Sequence, residues 1–484
     1  EMTSSLVGSE MCIRDSYKSK ATTLYLPEGT ASTLTDGTDY TFSDSYSSAE
    51  EEEPNACLYS KSDLVIAGSG SLTVNANYNN GITGKDTLFI QKASVTVTAV
   101  NHGINGKDSL TIKDADITVT SGGDALRSAN DSDTTLGYLV ITGSALKLTA
   151  GEDGIQAETT LTISGGTATV TTAGGAGQSI SDDTSAKGLK AGTQVTVTGG
   201  TLQLNCCDDA IHSNGDVTIS GGSFTIATGD DGMHADDTLS ISSGTIDITR
   251  SYEGLEGAKV LISGGKISIV ASDDGIHAAG GSDQSGSGGF GFAPDAFGGS
   301  GDYLIRISGG VVTVNASGDG IDSNGDIEVT GGELYISGPT SNGDGTIDCD
   351  GSATITGGIV VAAGSTGMAE NFGTASTQGS ILVNLSGSAG QTITLKDSDG
   401  NILASFTPAK AFGCVVVSAP GVAQGGTYTI AAGGASTTVT MESLIFGSGM
   451  GGFGGMGGGM GDPGNMGGGQ QPPQGGMGGP GNRG

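Results

Sequence analysis

A turn that mostly ends in glycine and then delivers an Ile, Leu or Met recurs through the middle of this 484-residue chain. The residues so delivered, here called anchors, are Ile82, Ile104, Leu126, Ile155, Leu189, Ile211, Met233, Leu255, Ile276, Ile321 and Ile347. Successive spacings are 22, 22, 29, 34, 22, 22, 22, 21, 45 and 26 residues, so the period is 22 and the longer intervals hold insertions. Between anchors runs a second module, read as VTVTGGTLQL at 195–204, VTISGGSFTI at 217–226, VLISGGKISI at 260–269 and IEVTGGELYI at 327–336. Each copy reads as strand, Gly-Gly turn, strand, with apolar residues alternating with Thr or Ser. Three short strands per 22 residues make one coil of a parallel β-helix. A single coil buries nothing, whereas stacked coils line up Val, Ile and Leu along a shared interior. The expected fold is all-β, a solenoid of about 11–12 coils and roughly 50–60 Å long at ~4.8 Å per coil. A β-propeller needs blades of about 40–50 residues and fits less well.

Composition narrows the function. The chain has 19 Lys and Arg against 52 Asp and Glu, a formal net charge of −33, which disfavours nucleic acid as a partner. No apolar run approaches the ~18–20 residues of a membrane helix. With 90 Gly in no three-residue period and only 10 Pro, collagen is excluded. The six cysteines, at 12, 57, 206, 207, 349 and 414, form neither a disulfide framework nor a CxxC zinc ribbon.

The ends differ from the middle. Residues 1–16 share no pattern with the rest of the chain and are read as a non-native, adapter-like leader, so the native N-terminus is expected to be missing. Residues 17–63 are assigned to an N-terminal cap, 64–378 to the β-helix and 379–446 to a small C-terminal β-rich cap. Residues 447–484 are read as a disordered Gly/Met-rich tail, too poor in strand formers to offset chain entropy. Residues 172–187 and 279–302 are insertions, the second with Phe290, Phe292 and Phe297.

Stacking places equivalent positions side by side. Two residues before the anchors lie Asn80, His102, Asp124, Asp153, Lys187, Asp209, Asp231, Glu253, Asp274 and Asp319. One step earlier come Asp208, Asp230 and Asp273. One step after the anchors come Arg127, Gln156, Lys190, His212, His234, Glu256, His277, Asp322 and Asp348. Because the anchors point inward, their neighbours are expected to point outward. A row of carboxylates ~5 Å apart needs raised pKa values, full solvation or a cation, and clustered hard oxygens suit Ca²⁺. Asp208, Asp209, Asp230, Asp231, Glu253, Asp273, Asp274, Asp319 and Asp322 are therefore the candidate calcium ligands; the competing reading is Asp-Gly turn chemistry on a solvated face. Lys190, His212, His234, Glu256 and His277 are the candidate glycan-contacting side chains. Imidazole also suits Zn²⁺, but a single linear column supplies two or three ligands and not a closed tetrahedron.

Several segments resemble the clostridial cellulose- and polygalacturonate-binding β-helix family, the carbohydrate-binding domain-containing proteins. They are NACLYSKSDLVIAGSGSLTV (55–74), NNGITGKD (79–86), NHGINGKD (101–108), GDGIDSNGDIEVTGG (318–332) and GSTGMAENF (364–372). DSDGNILASFTPAKAFGCVVVS (397–418) and GGTYTIAAGG (425–434) resemble its C-terminal cap, so the likeness spans roughly 21–446. The resemblance implies a right-handed, pectate-lyase-like parallel β-helix and calcium near Asp-rich turns. It also implies a secreted or surface-attached protein that binds plant polysaccharide; a monomer that binds without catalysis is expected. An acidic polymer would be repelled by the −33 chain unless calcium bridges carboxylates. Cellulose would fall to Tyr78, Tyr138, Tyr252, Tyr303 or Tyr335, or to rows of Thr and Asn hydrogen-bonding sugar hydroxyls. The alternatives are a polysaccharide lyase, with Lys190 (or Arg127) as base beside calcium, and a purely structural or adhesive rod.

Overall fold

The computed structural model of the chain describes residues 11–12, 20–40, 53–181, 184–279 and 302–447. The tail, most of the 1–16 leader and the insertion with Phe290, Phe292 and Phe297 lie outside the described residues. Within them the chain is a parallel β-helix. All its regular elements are strands, and no helix is long and apolar enough to cross a membrane.

One coil shows how the pattern folds. Ile211–Ser213, Asp216–Ile219 and Ser223–Thr228 are its three strands. In the second and third strands buried and half-exposed residues alternate, because a strand turns successive side chains to opposite faces. The anchor strand is only three residues long. Stacking then joins the short anchor strands in register. Leu58, Ile82, Ile104, Leu126, Ile155, Leu189 and Ile211 pair in sequence, and Met233, Leu255, Ile276, Ile321 and Ile347 continue the column. All twelve are fully buried. The parallel columns of Leu and Ile on the other two faces, such as Leu64–Leu88 and Leu72–Val95, complete one continuous core.

Two kinds of glycine allow this. Gly222, at φ 105°, makes the corner between strands with a backbone that other residues reach only with strain. Gly232, just before the anchor Met233, is needed for space: a Cβ there would lie 2.4 Å from the Gly254 carbonyl oxygen and 2.6 Å from Ile248 Cδ1. Coils approach backbone to backbone at that corner.

The stacking extends further toward the N-terminus than residue 64. Ala21–Tyr25 pairs parallel with Asp63–Ala67, and Ala31–Thr35 with Ser71–Asn75, so much of the segment assigned to a cap is itself coil. The Leu58 coil escapes the turn motif because Cys57 stands where most other coils have glycine. At the other end the parallel order stops at Ile359–Gly364, which pairs antiparallel with Cys414–Ser418. The cap therefore begins before residue 379. Its antiparallel sheet runs Ile402–Phe406, Ile393–Lys396, Thr427–Ala432, Ala435–Thr440 and carries its own core around Leu395, Val417 and Ile430. Reversing strand direction gives the last coil's edge a partner that is not another coil, which removes an aggregation-prone edge. Among the described residues Cys57, Cys206, Cys207, Cys349 and Cys414 are free thiols.

The anchor column dominates stability in this scheme. Met233→Ala should cost about 2–5 kcal/mol, as for other fully buried truncations. Thr169→Ala, on an exposed strand position, should stay within about 0.5 kcal/mol. Urea unfolding followed by circular dichroism measures both.

Candidate functional site

The expected columns exist, but they do not point apart into solvent. Tyr59, Thr83, Asn105, Arg127, Gln156, Lys190 and His212 stack in one column, continued by His234, Glu256, His277, Asp322 and Asp348. The residues two before the anchors form a second column that faces it. The pairs across are three residues apart: Asp209 Oδ2 is 2.9 Å from His212 Nδ1, and Asp231 Oδ2 is 3.3 Å from His234 Nδ1. Lys190 Nζ lies 3.4 Å from Asp153. The two columns close a charged seam along the short-strand face. Asp209 and Asp231 have 0% exposure and His234 has 1%, so the outward ridge expected from register alone is replaced by a largely buried one.

The turn before each anchor explains the burial. Its backbone N–H has no strand partner and needs an acceptor. Asn80 Oδ1 accepts the His102 N–H at 3.2 Å and Asp124 Oδ1 the Asp153 N–H at 3.1 Å. Asp153 Oδ1 accepts the Lys187 N–H at 2.8 Å, Asp209 Oδ1 the Asp231 N–H at 3.0 Å and Asp231 Oδ1 the Glu253 N–H at 3.2 Å. Asp274 Oδ1 accepts from Asp319 at 2.6 Å, and Asp319 in turn accepts from Gly345. Each side chain thus ties its coil to the next, which is turn chemistry propagated between coils.

Charge is distributed unevenly along the seam. At its N-terminal end Lys61, Lys85 and Lys107 occupy the third position after successive anchors, followed by Arg127. Lys61 and Lys85 both pair with Glu53, at 3.3 and 2.5 Å. The repeated Gly-Lys-Asp of the two Asn-rich turns was the sequence signal for this column. In the middle, Lys187 Nζ binds Asp208 at 2.9 Å and Asp209 at 2.6 Å. Burial resists ionisation of Asp209, but Lys187 and His212 hold its carboxyl far below the usual range. His212 and His234 stack with ring centroids 4.9 Å apart. Burial opposes charge on His234, but Asp231, Asp236 and Glu256 outweigh it and raise its pKa. Glu256 falls to about 2 despite burial, mainly through His234. Asp231 is raised by burial and by the carboxylates of Asp209 and Glu253.

At the C-terminal end acids outnumber cations among the described residues. Burial raises Asp274 to about 9, helped by Asp319. Burial raises Asp319 to about 8 against the Gly345 N–H, with Asp322, Asp348 and Asp344 adding repulsion. Asp322 rises to about 6 through burial, against the pull of His277. Glu370, from the segment after the last coil, rises to about 7 through burial and the nearby Asp348 and Asp322. It belongs to no repeat, so register could not find it. His277 links the two regions, with Nδ1 3.0 Å from Glu253 and Nε2 3.5 Å from Asp322. Its pKa rises to about 10, burial being overcome mainly by Glu253. A hard divalent cation fits the donor chemistry of Asp274, Asp319, Asp322 and Asp348 better than that of Asp208 and Asp209, whose charge Lys187 already offsets.

The other candidates belong to neither column. Tyr78 stacks on Tyr40 at 4.2 Å and Tyr335 on Phe406 at 5.3 Å, and Tyr252 is exposed. Thr96, Thr118, Lys147 and Thr169 stand in register on the third strands.

A family model described as carbohydrate-binding domain-containing protein matches residues 15–232 and 230–448. The chain belongs to this family. A member from Acetivibrio thermocellus is 51% identical over 138 residues, which cover 28% of this chain and 47% of that one. The chain thus matches about half the length of this curated relative. A solved structure, the polysaccharide lyase-like protein from C. thermocellum in a gadolinium derivative, is 36% identical. It covers 32% of this chain and 60% of its own, with a TM-score of 0.30.

The acids of the seam make the chain's stability pH-dependent. Asp274 and Asp319 keep protons in the folded state that the unfolded chain loses near pH 4. Their contribution is complete at low pH and is lost as pH rises toward 9, and that of His277 is lost in the same direction between about 6.5 and 10. In chelator the unfolding midpoint should therefore fall from about pH 5 to 9. Asp274→Asn keeps the acceptor for the Asp319 N–H and should flatten that fall, as thermal scans across pH would register.

Proposed function

We propose that the chain is an extracellular, non-catalytic protein that binds plant cell-wall polysaccharide along the seam, with calcium at its C-terminal end. The observation that carries this reading is the separation of charge along the seam. Lysines and Arg127 stand at one end, and at the other stand Asp274, Asp319, Asp322 and Asp348, with which no lysine or arginine pairs among the described residues. Asp274, Asp319, Asp322 and Asp348 would hold the ion, which offers positive charge to the carboxylates or hydroxyls of a sugar. Arg127 and Lys107 would favour the acidic groups of a polyuronate directly. Membership of the carbohydrate-binding family supports the glycan partner.

A lyase reading is weaker on the geometry of its base. The Lys190 ammonium donates to Ser185 Oγ at 2.9 Å and pairs with Asp153 at 3.4 Å, so it is engaged as a cation and not poised as a base.

Pull-down on polygalacturonate and on cellulose, with Ca²⁺ and with chelator, tests the proposal. Retention on polygalacturonate should require Ca²⁺ and weaken at least about tenfold in the Asp322→Asn, Asp348→Asn double variant. Retention unchanged by chelator would overturn the calcium role. Release of unsaturated uronate products, seen as rising ultraviolet absorbance, would make the chain a lyase.

A further inference from the structure

The middle of the seam holds a donor set of a different class. We propose that Asp231, His234 and Glu256 form a site for a borderline divalent transition-metal ion of the Zn²⁺ type, distinct from calcium, with Asp236 orienting the imidazole. A single column of stacked side chains gives too few ligands, but here two columns converge. Asp231 comes from the turn before the anchor Met233, His234 follows that anchor, and Glu256 follows the next one. Their candidate ligand atoms all lie within 4.8 Å of one another.

The geometry around the imidazole decides the metal class. His234 Nδ1 faces Glu256 Oε2 at 2.6 Å and Asp231 Oδ2 at 3.3 Å. Two tetrahedral ligands each at ~2.1 Å from zinc stand about 3.4 Å apart, so the Asp231 pair already has that spacing and Glu256 must withdraw by less than about 1 Å. On the opposite side of the ring, Nε2 donates toward Asp236 Oδ1 at 3.2 Å. A ligating histidine characteristically gives its second ring N–H to a carboxylate, which fixes tautomer and ring orientation. Without metal, a proton occupies the Nδ1 side between imidazole and carboxylate. Binding replaces that proton with the ion and releases it to solvent. Imidazole with carboxylate suits zinc, manganese or iron, whereas calcium prefers oxygen throughout. Asp231 and His234 are fully buried, so the ligands are already desolvated and held by the coil backbone.

The inference does not depend on the glycan reading, because the probe is metal alone. Tag-free full-length protein, stripped with chelator, is titrated with Co²⁺ and followed by its visible ligand-field absorption. A saturable band that Zn²⁺ abolishes and equimolar Ca²⁺ leaves intact is the expected result. His234→Gln and Glu256→Gln should each weaken Co²⁺ binding more than about tenfold, and Asp236→Asn by ~10–100-fold with the band retained. Circular dichroism checks the fold, and should His234→Gln fail to fold, the near-isosteric Glu256→Gln and the partly exposed Asp236→Asn decide the matter. No band with the unaltered protein, displacement by equimolar Ca²⁺, or Co²⁺ affinity unchanged in the folded variants would each overturn the site.

Discussion

Coils stacked ~4.8 Å apart bring equivalent side chains into contact whether or not they suit one another. Inside, this is favourable. Leu on Leu and Ile on Ile make a core that needs no long-range sequence information beyond the period. At the corner before each anchor the same constraint is hazardous, because it would stack carboxylate on carboxylate. The chain meets it in two ways. Asp124, Asp153, Asp209, Asp231, Asp274 and Asp319 each accept a backbone N–H of the next coil, and neighbouring cations offset some of them, as Lys187 does for Asp209.

The same constraint decides how much of this fold a linear reading can see. The 22-residue period, the anchors and the membership of both columns are legible because register depends only on counting. Direction is not. A strand residue beside an inward anchor is expected outside, yet His212 and His234 lie under a facing column that a one-dimensional alignment does not place. The turn residues Asp209 and Asp231 are buried because the N–H above them needs an acceptor, and that need belongs to the backbone of another coil. The boundaries blur for local reasons. Cys57 hides the Leu58 coil by replacing the expected glycine. The strand Ile359–Gly364 reads like any coil strand, and only its antiparallel partner, some fifty residues later, makes it the last strand of the stack.

The −33 charge is not spread evenly over the molecule. Lys61, Lys85, Lys107 and Arg127 concentrate positive charge at one end of the seam, while Asp274, Asp319, Asp322 and Asp348 concentrate negative charge at the other. Charges at opposite ends of a rod this long are screened from one another at physiological ionic strength, where the Debye length is ≈ 8 Å. Each end must therefore be balanced locally, by Glu53 at the basic end and by protons or an external cation at the acidic one.

The acceptor column separates what folding requires from what it does not. Asn80 and His102 occupy the same register as the aspartates and serve the same N–H groups, Asn80 for His102 and His102 for Asp124. The turn thus needs an acceptor and is indifferent to its charge. Where a carboxylate stands beside Lys187, Lys190 or Arg127, an internal pair accounts for the charge. At Asp274 and Asp319 no lysine or arginine pairs with the carboxylate among the described residues, and both keep their protons to high pH through burial and mutual repulsion. An asparagine would hold those turns at lower electrostatic cost. The anionic form at these two positions gains a physical reason only if a cation from outside the chain joins them, which is the weight behind placing calcium at this end of the seam rather than along its whole length.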